Sequence, residues 1–460
     1  MGATVRYPWA RSVPVSASWV GVFLGFLWGG AAWRGRARLP VAGLLVLVTV
    51  ALVYSPALGF GFVHDDFQLA RPLSGGQLLS TLWGTWDPLD HVNRHYRPIV
   101  AASFAVDYAL WGPEPFGYHL TNLLILCLCG IAGWDLLSRL TRSRAAALLG
   151  TMTWLIHPLT ATAASWTSQR TDSIASLFYL SALSAFLADS YPRRRWLPLL
   201  LFALALGSKE SAVTLPVLAA LLALGLRLGG RLRALGSMAL MTGGYLVFWG
   251  LRFADKARDT ASTLAVEQWA GWVPRMLCPV FFPVRYAEWN AGRDHDGSAV
   301  WILLAAVGLL ALAGGFLSSR GRSRAARVLL LGMIWPAVAL CPLLALRGGI
   351  PDVYRNGLLA CLGAGLVVAA LVLGVARRRW ARVLLAVALA AFLTPRAVNS
   401  SQAWSPRGFK YQQWLQWLTA SPTWLPTLTP EMQQRFQMQA RRYRATPAEK
   451  PAPAGGPQRP

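Results

Sequence analysis

The chain alternates between long apolar stretches and short gaps that carry arginine. Continuous apolar runs occupy roughly residues 40–61, 117–138, 145–158, 171–189, 196–208, 211–228, 234–251, 299–318, 327–346, 356–376 and 382–397. They lack the every-other-residue alternation of a half-buried strand. Several are long enough to cross the ~30 Å of hydrocarbon in a bilayer, and the shorter ones reach across with a few flanking residues. Lipid offers a backbone no hydrogen-bond partners, so spanning segments are helices or closed barrels, and unbroken apolar runs select helices. The pattern predicts an all-α polytopic membrane protein with about 11–12 transmembrane helices, the count turning on a further run at 17–33. That run follows Arg6 and Arg11 as a signal peptide would. It shows no small-residue cleavage site, and Arg34, Arg36 and Arg38 come next.

Composition agrees. The 460 residues are 55% hydrophobic and 14% charged, against about a quarter charged in a soluble domain. A net charge of +25 raises the question of nucleic acid. The arginines, however, sit in small clusters between apolar runs and form no basic face, which argues against a nucleic-acid partner. Clusters at Arg139 to Arg144, Arg193 to Arg195, Arg227 to Arg233, Arg320 to Arg327 and Arg377 to Arg382 are the footprint of cytoplasmic loops. Placing each of them in the cytoplasm sends the intervening polar segments to the other side. The chain then divides into an N-terminal segment (1–39), a membrane domain (40–397) with far-side loops at 62–116 and 252–298, and a far-side tail (398–460). In that tail a Trp-rich part suits the membrane interface and a Pro- and Ala-rich end suits disorder. The arginine-heavy composition suggests a GC-rich bacterial genome, hence a bacterial inner membrane with the far side facing the periplasm. The five cysteines show neither a disulfide framework nor metal-ligand spacing, and read as small buried residues.

Sidedness gathers the reactive residues on one face. FVHDDF (62–67) places Asp65 and Asp66 together where an apolar run stops. Arg97 follows, then an amphipathic segment with Asp107 and Tyr108, then His119 at the mouth of the next helix. His157 precedes Pro158 at a helix end, and Arg170 and Asp172 open the next helix. Lys209 and Glu210 occupy a tight corner between two apolar runs, where unpaired charge is costly. Tyr354 and Arg355 precede a later helix. Each has a structural alternative: a turn for the aspartates, an internal Lys209–Glu210 pair, backbone capping for His157, and a packing role for His119.

The segments FVHDDF, RHYRPIVAASFAVDYALWGPEPFGYHLTNLL, IHPLTA, SQRTDSIASLFYLSAL and GSKESAVTLP resemble, in order, motifs of GT-C-type polytopic glycosyltransferases. The resemblance is to the O-mannosyltransferases with a C-terminal tetratricopeptide region and their bacterial relatives. It covers roughly residues 40–220 and weakens at RMLCPVFFPVRY and VYRNGLLACLG. It implies transfer of a sugar from a polyprenyl-phosphate carrier to a hydroxyl on a protein, glycan or lipid, at the non-cytoplasmic face. It places Asp65 and Asp66 at the catalytic centre, and Arg355 at the arginine of that family's E-R-Y motif.

The residue types suit that chemistry. A carboxylate acts as general base toward a hydroxyl, and coupling between adjacent carboxylates raises the apparent pKa of one. Cationic side chains stabilise a leaving phosphate; Arg97, Arg170, Lys209 and Arg355 are the candidates, with His157, Asp172 and Glu210 completing the substrate-binding set. Direct attack by the acceptor would invert the anomeric centre. No cofactor is expected, with a divalent ion between His64 and Asp66 as the alternative. Thr162 stands where the relatives carry a glutamate in an H-T-E-A-V pattern, and their repeat region is absent from the 460 residues. A transporter or flippase of lipid-linked sugars, and a catalytically inactive scaffold of the same fold, are the competing functions.

Overall fold

The computed structural model describes residues 38–89, 95–188, 193–253, 277, 279–281, 323–345, 356–374, 379–405 and 428–444. Helix α1 (Arg38–Tyr54) leads through a 3-10 turn (Ser55–Gly59) into the first polar segment. That segment is itself largely helical, with α2 (Asp66–Leu69), α3 (Gly75–Ser80) and α4 (Pro98–Trp111). A long α5 (Pro115–Thr141) pairs with α6 (Arg144–Leu155) through a two-residue corner. Arg142 takes a left-handed conformation there (φ 52°), and the Ser143 side chain caps α6 through the Ala146 N–H.

The chain continues as α7 (Pro158–Ser165), α8 (Arg170–Leu187), α9 (Leu197–Leu206), α10 (Leu215–Gly225) and α11 (Leu232–Arg252). After the next undescribed stretch come α12 (Arg324–Ala345), α13 (Leu362–Gly374), α14 (Arg379–Gln402) and α15 (Pro430–Arg444). Proline in the first turn of α4, α5, α7, α9 and α10 is at home there, because that N–H has no partner within the helix.

Ten of the eleven apolar runs fall on these helices; the run at 299–318, like that at 17–33, lies outside the described residues. Five segments are long and apolar enough to cross a membrane on their own: Val41–Gly59, Pro115–Thr141, Gly229–Arg252, Arg324–Pro342 and Trp380–Gln402. Shorter apolar helices pack among them. Leu44, Leu110, Leu240 and Leu251 face outward, as lipid-facing side chains do. The protein is an integral membrane protein.

Close packing rests on small residues. A Cβ on Gly365 of α13 would lie 2.4 Å from the Gly150 carbonyl of α6, and one on Gly363 would lie 2.7 Å from the Gly332 carbonyl of α12. Backbones meet directly at both crossings, a recurrent solution where lipid supplies no hydrophobic drive between helices. A second, smaller apolar cluster gathers Phe60, Phe62, Phe67, Phe104, Tyr118, Trp166, Trp404 and Phe436 around the first polar segment.

Candidate functional site

Between α1 and α2 the chain turns sharply at His64, which has φ 49° and an exposed side chain. The turn is closed by Asp66. One carboxylate oxygen accepts the Val63 N–H at 2.9 Å; the other accepts the Ser168 N–H at 2.8 Å and the Ser168 hydroxyl. Trp166 Nε1 donates to the Val63 carbonyl at 3.3 Å, and its ring stacks on Trp404 at 4.8 Å. The FVHDDF segment and the residues ahead of α8 therefore hold each other. Asp66 is completely buried, and burial, opposed by these hydrogen bonds, raises its pKa from 3.8 to about 6. Its oxygens serve the chain, so a divalent ion between His64 and Asp66 would have to compete with those bonds. Asp65, at the N-terminus of α2, is only half-buried. The doublet thus separates into a structural carboxylate and a more open one.

Arg170 opens α8 and is fully buried. It forms an ion pair with Asp107 Oδ2 at 2.6 Å and donates to Asn122 Oδ1 at 2.9 Å and the Tyr118 carbonyl at 3.1 Å. Its guanidinium lies 4.3 Å from the Phe104 ring centroid. The expectation of a phosphate ligand meets a guanidinium whose directions are occupied from within; the structure uses Arg170 to fasten α4, α5 and α8 together. His157 is likewise engaged. Its Nδ1 caps α7 by accepting the Leu159 N–H at 3.2 Å, and its Nε2 lies 3.1 Å from the Val280 carbonyl. Of its two readings, the structural one matches this geometry. His119 is buried against Phe60, ring centroids 6.2 Å apart.

Lys209 and Glu210 do not pair with each other. Lys209 Nζ donates to Asp172 Oδ1 at 2.6 Å and to Asn356 Oδ1 at 2.5 Å. Glu210 takes Arg97 Nη2 at 2.9 Å and 3.2 Å on its two oxygens, and His95 Nδ1 on one of them. Arg97 stacks on Trp86 with its guanidinium 5.0 Å from the ring centroid, and its buried Nε has no hydrogen-bond partner among the described residues. Arg97, Lys209, Asp172 and Glu210 form one polar chain whose charges balance. Asp172 lies four residues beyond Ser168, so this chain and the Asp66 turn meet where the 3-10 turn Thr167–Gln169 runs into α8. Arg355 lies outside the described residues; its neighbour Asn356 is the group that meets Lys209.

Sequence reasoning missed α15, which falls inside the tail that was expected to be interfacial and then disordered. Phe436 packs edge-on against Phe67 at 5.6 Å, Gln439 Nε2 donates to the Phe62 carbonyl at 2.8 Å, and Arg435 meets Glu114 at 2.8 Å. The helix therefore rests on the segment carrying Asp65 and Asp66. The signal was present: Leu428, Met432, Phe436 and Ala440 recur every four residues and are buried.

Buried apolar helices with ionisable side chains collected where several of them begin define a polytopic α-helical membrane protein of the kind that resembles GT-C-type glycosyltransferases. The comparisons specify the resemblance. The chain is similar to protein O-mannosyl-transferases: Tmtc1 of Drosophila melanogaster (30% identity over 190 residues, 38% of this chain and 22% of that one), Tmtc2 of the same organism (29% over 297 residues, 56% and 31%) and TMTC3 of Mus musculus (26% over 184 residues, 37% and 20%). The chain thus spans between about a fifth and a third of the length of these relatives. No family model matches. Among solved structures, ArnT from Cupriavidus metallidurans bound to undecaprenyl phosphate is 16% identical, with 71% of this chain and 76% of that one covered at a TM-score of 0.34. An overlap that slight adds nothing to the reading of the site.

Proposed function

We propose that the protein is a membrane glycosyltransferase that moves a sugar from a polyprenyl-phosphate carrier to a hydroxyl acceptor, with Asp65 as general base. The observation that carries this reading is the division of labour in the aspartate doublet. Both oxygens of Asp66 hold the turn from within, while Asp65 beside it is half-buried and reachable from outside. In the reaction Asp65 takes the acceptor proton as the hydroxyl oxygen attacks the anomeric carbon. The bond from that carbon to the phosphate oxygen breaks, and the electron pair leaves on the lipid phosphate. Attack from the opposite face inverts the anomeric centre. Arg97, whose Nε has no hydrogen-bond partner among the described residues, and Arg355 are the groups assigned to the leaving phosphate. Lys209, Asp172 and Glu210 fix the charged corner that orients Arg97.

The names of the relatives make a mannosyl donor and a protein hydroxyl the first substrates to test. The arginine clusters, read as cytoplasmic, support a reaction on the non-cytoplasmic face, and the arginine-heavy composition supports a bacterial inner membrane. The test is a transfer assay with purified protein and a panel of polyprenyl-phosphate sugars. Asp65→Asn is expected to lower turnover by about 10²–10⁴-fold while leaving donor binding near wild type. Full turnover in Asp65→Asn would end the assignment.

A further inference from the structure

At the opposite end of α5 from Asp65, about 40 Å away for a 27-residue helix, arginines converge on one hollow. A cavity of about 250 Å³ lies between the ends of α5, α8 and α10, the turn before α11 and the start of α12. Arg139, Arg142, Arg231, Arg324 and Arg327 line it, together with leucines of α10 and α12. No carboxylate lines it among the described residues. Asp135, nearby, is engaged with Arg139 Nε at 3.0 Å and with the Ser184 hydroxyl. Arg231 donates to the Ala188 carbonyl at 3.1 Å, which leaves Arg142, Arg324 and Arg327 as the guanidinium groups for a ligand. These three line the same hollow, and Arg327 Nε is buried without a hydrogen-bond partner among the described residues.

Loop arginines that only satisfy the positive-inside rule point outward into water. These instead line one shared hollow, Arg324 and Arg327 half-buried and Arg142 at its exposed edge, so that like charges gather beside leucine with no carboxylate among the described lining residues to offset them. That arrangement persists if a counter-charge arrives from outside the chain. Guanidinium forks match phosphate oxygens two at a time, and the leucine wall gives a hydrocarbon tail somewhere to lie. Basic pockets between membrane helices on the cytoplasmic side hold anionic headgroups on the same physical grounds.

We infer that this cavity binds the phosphodiester headgroup of an anionic phospholipid between Arg142, Arg324 and Arg327, with an acyl chain along its leucines. The site is separate from the Asp65 turn and does not depend on the sugar-transfer reading. The test uses the purified full chain in zwitterionic detergent, read by native mass spectrometry and by apparent Tm. Phosphatidylglycerol is expected to remain bound and to raise Tm, while phosphatidylcholine at the same concentration does neither. Arg324→Gln with Arg327→Gln is expected to weaken phosphatidylglycerol binding at least tenfold. If that double variant fails to fold, Arg142→Asn decides, because Asn tolerates the left-handed φ of 52°. Equal binding of phosphatidylcholine would overturn the inference, as would undiminished phosphatidylglycerol binding in a folded variant. So would an equal Tm increase from inorganic phosphate alone, which marks a site for the free anion.

Discussion

Asp66 shows how a buried carboxylate can be held by hydrogen bonds and still be raised in pKa. Its bonds to Val63 and Ser168 favour the charged form, burial disfavours it, and burial prevails, with a value of about 6 against 3.8 in water. The folded state therefore binds this proton more tightly than the unfolded chain. The contribution to stability is complete below about pH 4 and is lost as pH rises through about 6, a swing of roughly 3 kcal/mol for a two-unit shift. Between pH 4 and 6.5 the apparent Tm of wild type should fall relative to that of Asp66→Asn, which has no such proton. Parallel profiles for the two proteins would remove the buried, proton-binding Asp66 from the account. At this scale the sequence was only half legible. FVHDDF marks the doublet, but which carboxylate is held depends on Ser168, 102 residues away. Likewise Arg170 looked like a phosphate ligand because Asp107, 63 positions earlier, gives no sign in sequence that it will face it.

Elements were legible in proportion to how strictly the membrane constrains them. An apolar run such as 117–138 has few alternatives to a spanning helix, and α5 covers it. Helix α15 obeys a weaker rule. Its sequence PEMQQRFQMQARRYR is polar on most sides, with a stripe only one residue wide, so composition hides it. Its contact with the aspartate segment is intimate: a Cβ at Gly61 would fall 2.4 Å from Gln439 Oε1. Gly61→Ala should therefore lower stability by pressing on Gln439. Adding Gln439→Ala should recover part of the loss, with a coupling energy of about 1 kcal/mol in a double-mutant cycle. Strict additivity would mean that α15 does not seat on Gly61. Phe436→Ala removes the ring that meets Phe67 and should cost about 3 kcal/mol. The exposed Arg435–Glu114 pair should contribute far less.

Across the whole molecule, the chemistry available to each site depends on which way the bundle faces. The aspartate turn and the arginine cavity lie at opposite ends of α5, and the positive-inside rule predicts that the cavity end faces the cytoplasm. Ser74 and α15 share the Asp65 end, while Arg233 and Arg142 share the other, so labelling at the two ends reads the orientation. Two exposed positions test it directly. Ser74→Cys and Arg233→Cys, each in a background with Cys278→Ser and Cys341→Ser, leave Cys127, Cys129 and Cys361 buried. In intact bacterial cells a membrane-impermeant maleimide should label Cys at position 74 readily, and at position 233 only after the inner membrane is opened. The reverse pattern would put the Asp65 turn in the cytoplasm. A lipid-linked donor would then have to be read from the inner leaflet, and the five-arginine cavity would open to the side where the positive-inside rule leaves no reason for it.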